Sequence, residues 1–256
     1  MSPADPAPVR VAGVDGCPAG WVVVTRRVGG DAAPVARVIR RFAELFDGDD
    51  APAVVAVDMP IGLPEMAGPG GRGPESLVRP HLGTRQSSVF SVPSRAAVHA
   101  GAGLDDAAGY RVACAVALQT SEPPRKISKQ AFFLFPKIRE IDALLIARPE
   151  LRERVFEVHP ELAFWRLNGE AAMSLPKKIK GAVNPAGLAE RRTLLYRFGF
   201  DEAFLGQRLG SGVGADDLLD AAVDCVIAER LLAGTARPFP DPPGRDARGL
   251  GVAIWA

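Results

Sequence analysis

The segment from Ala215 to Ala233, ADDLLDAAVDCVIAERLLA, has the composition of a buried helix, yet it carries acids that burial does not tolerate unanswered. Ala, Leu, Val and Ile fill it, and the glycine-rich run from Gly210 to Gly214 supplies a flexible entry. Asp217, Asp220 and Asp224 stand at i, i+3 and i+7. At about 100° per residue they share a sector roughly 60° wide. Ala221, Ala228 and Leu231 lie in or beside that sector, so the acidic face continues as small and apolar. Three carboxylates on a face set to pack need a cation or a strong set of donors to stay ionised. Asp216 and Asp217 also open the helix, where a carboxylate caps free N–H groups and suits the macrodipole. Capping covers Asp220 only weakly and does not reach Asp224, two turns in.

Further acids sit at the ends of apolar runs. Val9 to Val14 ends at Asp15, and the turn Gly16-Cys17-Pro18-Ala19-Gly20 leads into Trp21 to Thr25, which predicts a hairpin. A third strand is expected over Val35 to Arg40, and a short helix from Phe42 to Phe46. Ala53 to Val57 reads as a strand buried on both faces. It stops at Asp58, before Met59-Pro60-Ile61-Gly62-Leu63-Pro64, which forbids further regular pairing. A strand over Arg154 to Val158 carries Glu157, an acid inside an apolar run. His159-Pro160-Glu161 follows, with Pro160 suited to the first turn of a helix through Leu167. An Asp at a strand end is a common turn former, and His159 suits either ligand orientation or turn capping. The grouping carries more weight, since active sites in sheet folds gather at strand ends.

Between these elements, Gly68 to Ala100 is rich in Gly, Pro, Arg and Ser and shows no strong periodicity. A loop of that length is expected to be functional or disordered. Its Arg85, Ser88 and Arg95 are candidate phosphate contacts, as are Lys129 and Lys177 from two basic segments. Helices are expected over Leu104 to Leu118, with Leu104, Ala108, Val112, Ala115 and Leu118 on one side, and over Lys129 to Ala147, where Pro136 is placed to kink or divide it. The phenylalanines of the second read as core. A basic loop over Leu175 to Asn184 and a helix from Gly187 to Phe198 precede the acid-faced helix. No linker is evident: residues 9–236 read as one domain, with a loop and helical insertion over 62–150 and a tail over 237–256 in which Val252 to Trp255 forms a late strand.

Composition excludes several classes. With 31 basic and 30 acidic residues the net charge is +1, which argues against a chain-wide electrostatic grip on nucleic acid. An apolar content of 47% suffices for a core without a disulfide or metal staple. The three cysteines, at 17, 114 and 225, fall at no metal or redox spacing and read as buried thiols in a reducing compartment. MSPADPAPVR has no signal pattern and no apolar run approaches membrane length, so a cytoplasmic protein without a membrane partner is expected.

Three antiparallel strands, then parallel strands and a carboxylate-bearing last helix resemble the ribonuclease H-like superfamily. Asp217-Leu218-Leu219-Asp220-Ala221 is similar to the D-x-x-D-A helix of Holliday-junction resolvases. More closely, VDGCPAGW (14–21), AVDMPIGLP (56–64), SSVFSVPSR (87–95), SKQAFFLFPKIREID (128–142) and FEVHPELAFWRLNG (156–169) resemble the family called domain of unknown function 429, described as predicted ribonuclease H-like nucleases. The resemblance implies an α/β fold, a mixed five-stranded sheet of three antiparallel strands and then parallel strands flanked by helices. It also implies two-metal phosphodiester hydrolysis, in which Asp15, Asp58, Asp217 and Asp220 hold Mg²⁺ or Mn²⁺, with Glu157, His159 and Asp224 supplementary. The substrate would be nucleic acid or a nucleotide. Two rivals stay open on the same fold. One is ATP-dependent phosphoryl transfer of the sugar-kinase and actin type, which the Asp15-Gly16 hairpin suits but the lack of a second such hairpin does not. The other is a non-catalytic binding protein.

Overall fold

The computed structural model describes residues 9–30 and 32–256; residues 1–8, most of the segment read above as lacking a signal pattern, lie outside them. Strands β1 (Val9–Cys17), β2 (Gly20–Val28), β3 (Val35–Ile39), β4 (Val54–Val57) and β5 (Val155–Glu157) form one mixed sheet ordered β3-β2-β1-β4-β5. The pairs β1–β2 and β2–β3 are antiparallel, whereas β1–β4 and β4–β5 are parallel, as the sequence predicts. The helices in chain order are α1 (Pro74–Val78), α2 (Arg95–His99), α3 (Asp106–Gln119), α4 (Lys129–Ala147), α5 (Pro160–Leu167), α6 (Pro185–Tyr196), α7 (Glu202–Gly206) and α8 (Ala215–Leu232). A small hairpin of β6 (Lys178–Ile179) and β7 (Ala182–Val183) lies within the expected basic loop, and a C-terminal hairpin pairs β8 (Pro238–Arg245) with β9 (Gly251–Trp255).

The chain packs as two compact units. The first takes the chain as far as Asp58, together with Arg154–Ala236 and Ala256; the second takes Met59–Glu153 and Arg237–Trp255. In the first, the hairpin between β1 and β2 closes through Pro18 and Ala19, with Cys17 paired to Gly20. Gly20 has φ 131°, and a Cβ there would lie 2.1 Å from the Ile39 carbonyl oxygen, so only glycine fits this turn. Because the turn is so tight, β1 runs two residues beyond Asp15, which pairs with Val22 inside the strand instead of ending it.

Helix α8 packs across β1, β2 and β4. The approach is closest at Gly13, where a Cβ would stand 2.0 Å from the Cys225 backbone nitrogen and 2.1 Å from the Ala221 carbonyl oxygen. Gly13 and Asp15 share a face of β1 by strand alternation. A strand that touches the helix backbone at Gly13 therefore carries Asp15 against the acidic side of α8. Further along the helix, Arg26 of β2 bonds Glu229 at 3.0 Å and the Phe198 carbonyl at 2.7 Å, and its guanidinium lies 4.0 Å from the Phe200 ring centroid. These contacts pin the far end of α8 to the sheet.

In the second unit two expectations are corrected. Segment 68–100 is neither disordered nor a featureless loop: it is built from α1, a 3₁₀ stretch over Arg79–Ser88 and α2, and it buries Val78, Leu82, Val89, Val92, Ala97 and Val98. Its short elements carry no period long enough to read. Helix α3 starts later than expected, with Asp105 accepting from the Ala107 and Ala108 N–H groups at 3.0 and 2.9 Å. Leu104 thus precedes the helix, and Val112 and Leu118 are exposed. The buried face is Gly109, Ala113, Cys114 and Ala117. Small residues win there because the chain at Gly101 approaches the Gly109 backbone too closely for larger ones. Helix α4 continues through Pro136, burying Phe132, Phe135, Ile138, Ile141 and Leu145. All three cysteines are buried.

A candidate carboxylate site

The carboxyl ends of three neighbouring strands set out the first acids. The Asp58 N–H donates to the Val14 carbonyl at 2.9 Å, and the Val158 N–H to the Val57 carbonyl at 2.9 Å, so the parallel pairing of β1, β4 and β5 ends at one level, although β1 itself runs on to Cys17. Asp15, Asp58 and Glu157 therefore follow one another along that edge, with Asp15 and Glu157 buried and Asp58 half-buried. Helix α8 brings Asp216, Asp220 and Asp224, all buried, and the half-buried Asp217. Asp224 is fully buried, and neither of its carboxylate oxygens has a hydrogen-bond partner; Oδ1 of Asp220 has none either.

Four residues after Glu157 of β5, helix α5 adds Glu161 in its first turn. Its position is fixed by Arg191 of α6, wholly buried, whose Nη2 donates to both Glu161 oxygens at 2.7 and 2.8 Å. Nη1 of the same side chain donates to the carbonyls of Gly187 at 2.8 Å and Leu175 at 3.0 Å. Glu190 receives the Ser174 and Leu175 N–H groups at 2.7 and 2.9 Å. The segment leading to Lys177 is thereby tied to α6, and its ammonium donates to Oδ2 of Asp220 and lies 3.9 Å from Glu161. Lys178 pairs with Asp216 at 2.6 Å.

Seven carboxylates (Asp15, Asp58, Glu161, Asp216, Asp217, Asp220 and Asp224) thus gather about Lys177, Lys178 and Arg191, whereas Glu157, in register with Val57, lies on the opposite face of the sheet from Asp15 and bears on the group through Asp58. The shortfall in positive charge shows in the acidities of Asp15, Asp58, Asp220 and Asp224. Burial, then Asp58, Asp220 and Asp217, push the Asp15 carboxyl well above its usual range against the pull of Lys177. Burial, then Asp58, Asp15 and Asp220, do the same to Asp224. Asp58 is pushed up to about 8 by burial and by Asp220, Glu157 and Glu161. Asp220 reaches only about 6, because Lys177 offsets part of the effect of its burial. For Lys177 burial works to remove the proton, but Asp220, Glu161 and Asp15 outweigh it and hold the ammonium charged. These are signs of a site short of cations.

Other residues singled out in the sequence lie elsewhere or have work of their own. Asp217 stands within electrostatic reach of Asp15, but its Oδ2 accepts the Gly214 N–H at 2.7 Å, so one oxygen serves the helix start. His159 is half-buried at the N-cap of α5. Arg85, Ser88, Arg95 and Lys129 belong to the second unit. There the Ser88 hydroxyl donates to the Arg85 carbonyl at 2.7 Å, Arg95 bonds Asp142 and Asp246, and Lys129 is exposed at the start of α4. Two residues of this group, Glu161 and Arg191, are not among those the sequence marks as site candidates. The signal for Glu161 was its spacing of four from Glu157 across Pro160; Arg191, thirty residues further on, gave none.

All the donors are hard carboxylate oxygens, several of them buried without partners, and this set fits Mg²⁺ or Mn²⁺ by its chemistry. Among the described residues no three Asp, Glu, His or Cys side chains converge in ligating geometry. No helix among the described residues is long and apolar enough to cross a membrane.

Across residues 13–245 the chain matches the model of a family described as "Protein of unknown function (DUF429)". No curated protein and no solved structure matches it. With nine-tenths of its length covered by that match, the chain belongs to the DUF429 family.

Proposed function

We propose that this DUF429 protein is a metal-dependent phosphodiester hydrolase of the ribonuclease H-like kind, acting on nucleic acid or a nucleotide. The observation that carries the reading is Asp224, a fully buried carboxyl with both oxygens unpartnered, set among Asp15, Asp58 and Asp220. A purely structural helix face has no reason to hold such a group. Asp15, Asp58, Asp220 and Asp224 would hold Mg²⁺ or Mn²⁺, with Asp217 contributing its second oxygen. When bound, such ions lower the pKa of water and stabilise charge on phosphate oxygens.

The chain's own residues do the rest. Gly13 and the parallel edge of β1 and β4 hold Asp15 and Asp58 on a rigid frame. Lys177 keeps Asp220 ionised and supplies positive charge for a phosphate oxygen. Arg191 orients Glu161, which in turn steadies Lys177. Near neutral pH the Asp58 carboxyl carries a proton in the cation-free protein, so cation binding releases it and tightens with rising pH.

The test is a cleavage screen over branched, single-stranded and hybrid nucleic acids with Mn²⁺ or Mg²⁺, run beside Asp15→Asn. Cation-dependent cleavage that falls by about two orders of magnitude or more in the variant supports the reading. A variant that cleaves like the wild type removes it. Saturable ATP binding that needs Asp15, with no cleavage of any nucleic acid, would instead select phosphoryl transfer.

A further inference from the structure

The second unit contains a pocket of about 490 Å³ between the start of α4 and the segment that runs from Ser87 to Ser94. Its polar lining is donor-rich: Arg79, Arg125 and Lys126 face it, and no acidic residue does. None of these three has a carboxylate partner among the described residues, in a chain whose acids and bases are otherwise nearly balanced. Both arginines are held by backbone carbonyls. Nη2 of Arg79 donates to the Gly70 carbonyl at 3.1 Å, and Nη1 of Arg125 donates to the adjacent Pro69 carbonyl at 2.7 Å. These bonds leave the positive charge of both guanidinium groups unneutralised by any carboxylate among the described residues.

Two of the lining hydroxyls add donors, whereas those of Thr120 and Ser121 are spent on the Val116 and Ala117 carbonyls. Ser91 Oγ accepts from Arg79 at 3.0 Å, and Ser128 Oγ accepts from the Ala131 N–H at 3.2 Å, which leaves each O–H free to donate. Ser128 caps the 19-residue α4, whose positive end therefore opens on the pocket. The remaining wall is apolar, with Val89, Val92 and Ile127 buried and Phe90 half-buried. The volume lies in the range of small-molecule sites and exceeds what a bare anion needs.

From this rim, rich in donors and without an acid, and from the apolar wall we infer that the pocket binds a small organic phosphate with a ring-bearing body, of the size and class of a nucleoside monophosphate. The phosphate lies toward Arg79, Arg125 and Lys126, and the ring system against Val89, Phe90 and Val92. The inference does not rest on the carboxylate site, and either stands if the other fails.

Calorimetric titration of the full chain with AMP and UMP in EDTA tests it, with adenosine and inorganic phosphate as companion probes. EDTA keeps cations at the carboxylate site from contributing. The expected result is saturable binding of at least one nucleotide, at least tenfold tighter than adenosine or inorganic phosphate. Lys126→Glu, an exposed position with no described bond to lose, should weaken it tenfold or more, and Arg125→Ala likewise. Equal binding of adenosine would remove the anion site, equal binding of inorganic phosphate would remove the apolar subsite, and no saturable nucleotide binding at millimolar concentration would overturn the inference entirely. So would nucleotide binding left unchanged by Lys126→Glu in a protein of unaltered circular dichroism.

Discussion

Each unit buries a group of acids, and the two groups are answered in opposite ways. In the second unit Asp142 and Asp246, each only 2–3% exposed at the side chain, share the guanidinium of Arg95 at 2.7 Å. His99 adds a contact to Asp142 at 3.0 Å, and the N–H groups of Leu63, Arg248 and Leu250 complete Asp246 at 3.0, 2.8 and 2.9 Å. Burial alone would raise the Asp246 carboxyl, but Arg95 and these N–H groups hold it below its usual value. In the first unit burial wins: Asp15, Asp58 and Asp224 are raised, and Asp224 has no donor at all. Satisfied carboxylates tie a fold together, whereas unsatisfied ones mark a place kept for something the chain does not supply.

The largest expected effect that would break this contrast is at Arg95. Arg95→Ala leaves two buried carboxylates facing each other and should destabilise the protein by about 3–5 kcal/mol in urea unfolding. A loss below about 1 kcal/mol would mean that the second group is no better satisfied than the first. Lys177→Met should lower the stability of the cation-free protein by about 2 kcal/mol at pH 8 and by much less near pH 5, where Asp220 can take up a proton. Equal losses at both pH values would show that Lys177 serves packing and not charge.

The pH dependence sharpens the same point. A carboxyl raised in the folded state binds its proton more tightly there than in the unfolded chain. Between the usual value of 3.8 and about 8 for Asp58, the cation-free protein should therefore lose stability as pH rises. The loss should exceed about 1 kcal/mol over that window, after allowance for the partial exposure of Asp58. Asp246 works in the other direction: its contribution is present above its usual range and lost as pH falls through its depressed value. Urea midpoints that rise steadily from pH 5 to pH 8 without added cations would contradict the assignment. The smallest effect is expected for Asp217→Ala, about 0.5–1 kcal/mol for the lost bond to Gly214, since that carboxylate already serves the helix start.

What the sequence made legible follows from how local each signal is. Apolar runs and a tight turn were enough for the separate strands and the first hairpin, whereas the mixed pairing of the five was implied by the family resemblance. The period of 3.6 was enough to place Asp220 and Asp224 on one face of α8. That Asp224 would lie beside Asp15 depended on Gly13, whose significance appears only when α8 is laid across it. Arg191 was hidden because its partner, Glu161, is thirty residues away and a buried ion pair leaves no local pattern. The face of α3 was misread because Leu104, Val112 and Leu118 are larger than the Gly and Ala that pack, and periodicity counts hydrophobicity before size. Segment 68–100 was opaque for the reason that short helices have no period to show.

The most direct test of the central claim, that the first group of acids is held open for a divalent cation, is thermal melting at pH 8 in EDTA and in millimolar Mn²⁺, for the wild type beside Asp15→Asn. The account predicts a rise of several degrees with Mn²⁺ in the wild type, by preferential binding to the folded state, and little or none in the variant. A wild-type melting temperature unmoved by Mn²⁺, or a rise of equal size in both proteins, would contradict it.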